Sequence, residues 1–214
     1  MKKVIAIIGV GPGISLSVAM KFGSEGYAVA LISRDMGRLE EYKTTLEAHG
    51  IESAVFQYDP HDPLSIDNAL KHTKNTLGVV TVLHYNAGAL HDGTLLAETA
   101  DSLTDDFRIN VSNALQAIQS VRTDMKAGES SVLLTGGGFA HFPALEYGSL
   151  SIGKGALLMF ARLLNEELKA EGIFVGTVTI SGYVNPSDSK YSPEKIAIKF
   201  WELHNDRNLI ELIY

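Results

Sequence analysis

Ile8-Gly9-Val10-Gly11-Pro12-Gly13-Ile14-Ser15 joins two segments of opposite character. Before it runs Lys3-Val4-Ile5-Ala6-Ile7-Ile8, apolar and β-branched, the composition of a buried strand. After it, from Ile14 to Gly26, apolar residues recur at helical spacing. Glycines between a strand and a helix let the backbone turn tightly and approach a pyrophosphate with no Cβ in the way. The helix amino terminus then offers free N–H groups and a positive dipole end to the anion. Gly9 and Gly13 are also usable as plain turn residues; the place of the loop between strand and helix favours a nucleotide.

Outward from this loop the chain alternates strand and helix almost throughout. Apolar, β-branched runs predict strands at Lys3–Ile8, Tyr27–Ile32, Ser53–Gln57, Val79–His84, Ser131–Leu134, Phe174–Ile180 and Leu209–Ile213. Helical periodicity predicts Ile14–Gly26, Met36–His49, Leu64–Leu77, Leu103–Lys126, Ser151–Glu171 and Pro193–His204. This is the pattern of an α/β doubly wound Rossmann fold: a seven-stranded, mostly parallel sheet with helices on both faces. The ligand crevice is then expected at the carboxyl ends of the strands.

The 214 residues suit one such domain over 1–214, with 45% hydrophobic and 20% charged residues. There is no cysteine, which excludes disulfides and thiolate chemistry. A net charge of -7 argues against nucleic acid as a partner, since no basic stripe is present to displace phosphate counterions. Lys2-Lys3 and the apolar run after them superficially resemble a leader, but the run is short and enters the glycine loop directly. No stretch approaches the roughly 20 apolar residues of a membrane span, so a cytoplasmic protein without membrane contact is expected. The histidines His84, His91 and His141 lack metal-ligand spacing, and no metal is expected. Gly136-Gly137-Gly138 resembles an oxyanion loop of hydrolases, but no nucleophile elbow accompanies it.

The second strand arbitrates between nucleotides. A carboxylate at its end would accept hydrogen bonds from ribose hydroxyls, as suits NAD or S-adenosylmethionine. Here the strand ends Leu31-Ile32-Ser33-Arg34-Asp35. Ser33 is small, and the Arg34 guanidinium can grip a 2′-phosphate bidentately. NADP is therefore expected in preference to NAD, and a methyltransferase is disfavoured. In a plainer reading Arg34 is a solvated residue and Asp35 a helix N-cap.

Together these features resemble the short-chain dehydrogenase/reductase family over nearly the whole chain. Gly9-x-x-x-Gly13-Ile14-Ser15 is similar to its glycine loop, and Asp59 to its adenine-contacting aspartate. Asn86-Ala87-Gly88 matches the family's N-A-G motif, whose backbone flanks the cofactor. Asn110 falls where the family keeps a catalytic asparagine, and Lys154-Gly155-Ala156-Leu157 resembles the continuation of its active-site helix. Ser181-Gly182-Tyr183-Val184 resembles the turn that contacts the nicotinamide carboxamide, so Gly182 and Val184 are implied cofactor contacts. The resemblance implies a nicotinamide dinucleotide as cofactor, a small-molecule carbonyl or enone as substrate, and Lys154 on the nicotinamide ribose. It also implies a homodimer or homotetramer through Leu103–Lys126 and Ser151–Glu171.

The resemblance breaks at the proton-handling residues. The family's chemistry needs a tyrosine four residues before the lysine, whose charge favours the phenolate. Counting back from Lys154 gives Leu150; thirteen residues earlier, where a serine is usual, stands Gly137. Tyr147 precedes Lys154 by seven residues, on the same helical face but about 10 Å along the axis. Tyr183 follows the nicotinamide-end turn, while Ser149 and Ser151 are poor acids. Tyr147 is carried forward, beside Asn110 and Lys154, as a candidate catalytic residue. A chain that binds NADP without catalysis, as a sensor or scaffold, is the alternative. The segment Asn185–Ser192 leaves room for only a short lid over any substrate.

Overall fold

A computed structural model describes residues 2–214. Seven strands form one sheet: β1 (Val4–Ile8), β2 (Ala28–Ser33), β3 (Ser53–Gln57), β4 (Val82–Tyr85), β5 (Ser131–Gly137), β6 (Phe174–Ile180) and β7 (Glu211–Ile213). Their order is β3-β2-β1-β4-β5-β6-β7, and all the pairings are parallel. The winding reverses between β1 and β4, which opens a crevice at their carboxyl ends. The register aligns those ends, with Ile8 opposite both Ile32 and Tyr85.

The helices are α1 (Ile14–Ser24), α2 (Met36–Ala48), α3 (Pro63–Thr76), α4 (Ala100–Phe107), α5 (Asn113–Arg122), α6 (Gly148–Leu168) and α7 (Pro193–Asp206). They cover both faces. Ile8, Leu83, Leu134 and Val175 pack into one apolar layer with α3, α5 and α6. Ile7, Leu31, Val178 and Phe200 pack into the other with α1, α2 and α7. Both layers need apolar residues, so the central strands read as continuous rather than alternating runs.

Short polar side chains start several helices. Asp35 accepts the Arg38 N–H at 3.1 Å, Asp62 the Leu64 N–H at 2.9 Å, and Thr99 the Ser102 N–H at 3.0 Å. Replacing Asp35 by alanine is expected to cost about 1 kcal/mol of stability. Urea denaturation checks this, and an unchanged midpoint would show the cap to be inert.

Several expected boundaries move. The helix expected over Leu103–Lys126 is two helices joined by a π turn at Arg108–Ser112. The cause is tertiary: the Tyr85 hydroxyl donates to the Ile109 carbonyl at 2.5 Å, diverting an acceptor from the helical ladder. Helix α6 starts three residues before Ser151. β4 begins at Val82 rather than Val79, because Gly78 at φ 118° turns the chain and Thr81 N–H reaches the Val4 carbonyl at 2.8 Å. β5 runs on to Gly137 beside β6, so Gly136-Gly137 is strand and not an oxyanion loop. At Gly136 a Cβ would stand 2.6 Å from the Thr177 hydroxyl, and only glycine lets these strands approach. No helix among the described residues is long and apolar enough to cross a membrane.

Candidate functional site

At the crevice, Gly9 has φ 83°, and a Cβ there would lie 2.4 Å from the Ala87 backbone nitrogen. The β1 and β4 ends approach there so closely that no side chain fits on Gly9. Asn86 binds them together: its N–H donates to the Ile8 carbonyl and its side-chain Nδ2 to the Gly9 carbonyl, both at 2.9 Å. Its Oδ1 accepts the Thr135 hydroxyl at 2.9 Å, which ties in β5. Above Gly11 and Gly13 the situation is opposite. A Cβ on either would meet no atom within 4 Å, so both border open space that a side chain would fill. Gly13 begins α1 without any side-chain cap, and Ile14 opens its first turn. The Gly11 N–H is held by the Ser15 hydroxyl at 2.8 Å and the Gly9 N–H by the Ile32 carbonyl at 2.9 Å, so what the cradle offers the pyrophosphate of a dinucleotide is open main chain at Gly11 and Gly13 and the first turn of α1.

Two adjoining cavities form a groove across the crevice. One, of about 520 Å³, is lined by Gly9, Ser33, Arg34, Asn86, Ala87 and Gly88, and also by His91. The other, of about 620 Å³, is lined by Gly11, Ser33, Arg34, Asp35, Arg38 and Tyr42. Arg34 and Ser33 border both. Arg38, in the first turn of α2, adds a second guanidinium, 3.5 Å from Asp35. Asp59 lies outside the lining; its carboxylate accepts the His61 N–H at 2.9 Å and shapes a turn between Tyr58 and Pro60, which do line the groove.

At the other end of the crevice, Lys154 is sunk into the fold. Its Nζ donates to the Thr135 carbonyl at 2.8 Å, and burial lowers its pKa from 10.5 to about 8. Its stem runs alongside Gly137, with Cγ to Cε at 3.5–3.6 Å, ordinary van der Waals contact, from where a Cβ there would stand. Asn110 sits in the π turn. Its Oδ1 accepts the Ala89 N–H at 2.9 Å, while its buried Nδ2 has no partner. Gly153 makes room for it: a Cβ there would lie 2.7 Å from Nδ2.

The candidate hydroxyls are mostly engaged. Leu150 is buried. Tyr147 caps α6, stacks on Phe139 at 5.4 Å and bonds to Asp92, whose charge holds its phenol above the usual 10. Ser151 donates to the Tyr147 carbonyl at 2.8 Å, and Ser149 donates to Asp106. Tyr183 is 84% exposed. Gly182 is forced by the Tyr191 ring, which would lie 2.2 Å from a Cβ there, and Val184 packs with the α7 layer. Gly182, Val184, Asn110 and Lys154 stand apart from the linings of the two cavities.

With this geometry in place, a family profile described as "short chain dehydrogenase" matches residues 3–195. The chain belongs to that family. The chain is similar to 2,3-dihydro-2,3-dihydroxybenzoate dehydrogenase of Bacillus subtilis (strain 168), 26% identical over 169 residues. The match takes in 78% of this chain and 64% of the relative, so the chain spans less than two thirds of that protein. A short chain dehydrogenase of Burkholderia cenocepacia J2315 in complex with NADP superposes with TM-score 0.89 at 21% identity, covering 99% of this chain and 95% of that one. A blue fluorescent protein from a metagenomic library in complex with NADPH gives TM-score 0.88 at 24% identity, with coverage of 99% and 95%. These likenesses establish the shared fold.

Two features of the site escaped sequence reasoning. Arg38 carried a weak signal, a basic residue one turn after Arg34. The second is a cluster of His91, Glu98, Asp106 and Ser149, in which Ser149 and Asp106 are 43 residues apart; no local pattern marks it.

Proposed function

We propose that this short-chain dehydrogenase is an NADP-dependent oxidoreductase of carbonyl or enone substrates, with proton-transfer residues that depart from the family's usual tyrosine and serine. The pair of guanidinium groups, Arg34 and Arg38, lining the groove beside Ser33 and opposite the glycine cradle carries the reading. Arginine forks match phosphate oxygens, and a 2′-phosphate is what separates NADP from NAD. That two structures of the same fold hold NADP or NADPH agrees with it. In this assignment Gly9, Gly11, Gly13 and Ile14 hold the pyrophosphate and Ser33 and Arg34 the 2′-phosphate. Asp59 approaches the adenine, and Asn86, Ala87 and Gly88 flank the ribose. Lys154 holds the nicotinamide ribose, and Gly182 and Val184 the carboxamide.

When bound, the reduced nicotinamide supplies a hydride to the substrate carbonyl. The chain itself must place the substrate, exclude water and deliver a proton. Lys154 places a positive charge beside the reacting groups, and Asn110, with its unpartnered Nδ2, can hold a water between them. Tyr147, with a raised phenol pKa, keeps its proton at neutral pH and is the tyrosine nearer the active-site helix. Ile152, Met159 and Leu163 on α6 and Leu115 on α5 are exposed apolar residues and suit a homodimer or homotetramer interface.

Leu150 favours a second reading, an NADP-binding sensor without turnover. Purified protein with NADPH and a panel of nitrobenzaldehyde, phenanthrenequinone and cyclohexenone separates the two. Consumption of NADPH with at least one is expected; binding without consumption of any would support the sensor.

A further inference from the structure

In the reductase reading Leu150 stands at the usual tyrosine position and Tyr147 is engaged by Asp92, and the structure holds a further acid in the groove. We propose that His91 is the proton donor to the substrate carbonyl, an assignment that rests on the reductase reading above.

His91 lines the same cavity as Gly9, Asn86 and Gly88. It follows by two residues Ala89, whose N–H is held by Asn110, so its loop is pinned to the buried end of the site. Its Nε2 lies 2.6 Å from Glu98 Oε1 and 3.5 Å from Asp106 Oδ2. Each carboxylate is itself held: Glu98 accepts the Ser102 hydroxyl at 2.6 Å, and Asp106 accepts the hydroxyl of Ser149, the neighbour of Leu150. Glu98, just before α4, and Asp106 within it thus meet one edge of the imidazole, with Ser149 of α6 holding Asp106. The other edge, Nδ1, has no hydrogen-bond partner among the described residues, and the side chain is 41% exposed. A carboxylate on one ring nitrogen fixes orientation and leaves the other nitrogen to work, the logic by which catalytic histidines are aimed.

The charged groups facing His91 are Glu98, Asp106 from α4, and Asp92 from its own loop. The Glu98 hydrogen bond first, then Asp106, raise its pKa above the ordinary 6.5, so the imidazolium persists toward neutral pH. In the step, the Nδ1–H bond breaks and an O–H bond forms on the substrate oxygen. The oxygen uses the electron pair displaced from the C=O bond as hydride reaches the carbon. The imidazole is left neutral with Nε2–H still donated to Glu98, and solvent returns the proton through Nδ1. Glu98 is a positioning residue.

Three readouts test this. Diethyl pyrocarbonate labelling of His91, followed by peptide mass, is expected to slow at least about fivefold when NADPH is bound. His91→Asn is expected to keep NADPH affinity within about threefold and to lose at least about 100-fold in kcat on phenanthrenequinone. Wild-type kcat is expected to fall as pH rises through the His91 pKa, and Glu98→Gln to move that fall to lower pH. Labelling indifferent to bound NADPH, or kcat retained within about threefold in His91→Asn, overturns His91 alone. Failure of the wild type to bind NADPH or to consume it overturns the reductase reading, and the proposal falls with it.

Discussion

Replacing Lys154 by methionine is expected to lower turnover by about three orders of magnitude and yet to raise the melting temperature at pH 7. The first effect follows from the proposed role of Lys154, a preorganised positive charge beside the reacting groups. The second follows from burial. Among the described residues the Nζ of Lys154 has one carbonyl acceptor and no carboxylate, and desolvation brings its pKa down to about 8. Below about pH 8 both folded and unfolded chains carry the proton, and the fold bears the full cost of a buried charge. Between about 8 and the ordinary 10.5 the folded lysine is neutral and the unfolded one still charged, so stability rises with pH. The advantage of the methionine variant should therefore be greatest at pH 7 and shrink by pH 9. Thermal melts at the two pH values check it. A variant less stable at pH 7, or one retaining turnover within tenfold, would contradict this account of Lys154.

Arg34→Ala is expected to weaken NADPH binding about 100-fold while leaving NADH within about twofold. One bidentate charge-assisted contact to a phosphate contributes roughly 1.5–3 kcal/mol. With Arg38→Ala added, Asp35 loses the 3.5 Å ion pair on Oδ2 while Oδ1 keeps its cap bond to the residue-38 N–H, and the released oxygen just after β2 can accept ribose hydroxyls. The double variant should then prefer NADH. Isothermal titration with both cofactors reads the result. Equal loss for both would place Arg34 on the pyrophosphate instead.

Much of this was legible in the sequence because it is local. The glycine loop is a contiguous run between a strand and a helix, and Ser33 ends β2 with Arg34 directly after it. Leu150 is found by counting from Lys154. What escaped depends on contacts between distant segments. The π turn that presents Asn110 exists because Tyr85 takes the Ile109 carbonyl, 24 residues away, and helical periodicity runs through it undisturbed. Gly136 is a strand residue because Thr177 of β6 allows nothing larger, a fact no glycine run announces. The edge of the His91 ring that meets Glu98 and Asp106 depends on how the loop after β4 lies across α4. Arg38 joins the groove only because α2 leaves β2 with its first turn over the crevice.

The central claim is an NADP-selective groove at the carboxyl ends of β1, β2 and β4. Fluorescence titration of the unmodified protein with NADPH, NADH and S-adenosylmethionine tests it most directly. NADPH should bind at least about tenfold more tightly than NADH, and S-adenosylmethionine not measurably. Equal affinity for the two dinucleotides, or binding of S-adenosylmethionine alone, would contradict it.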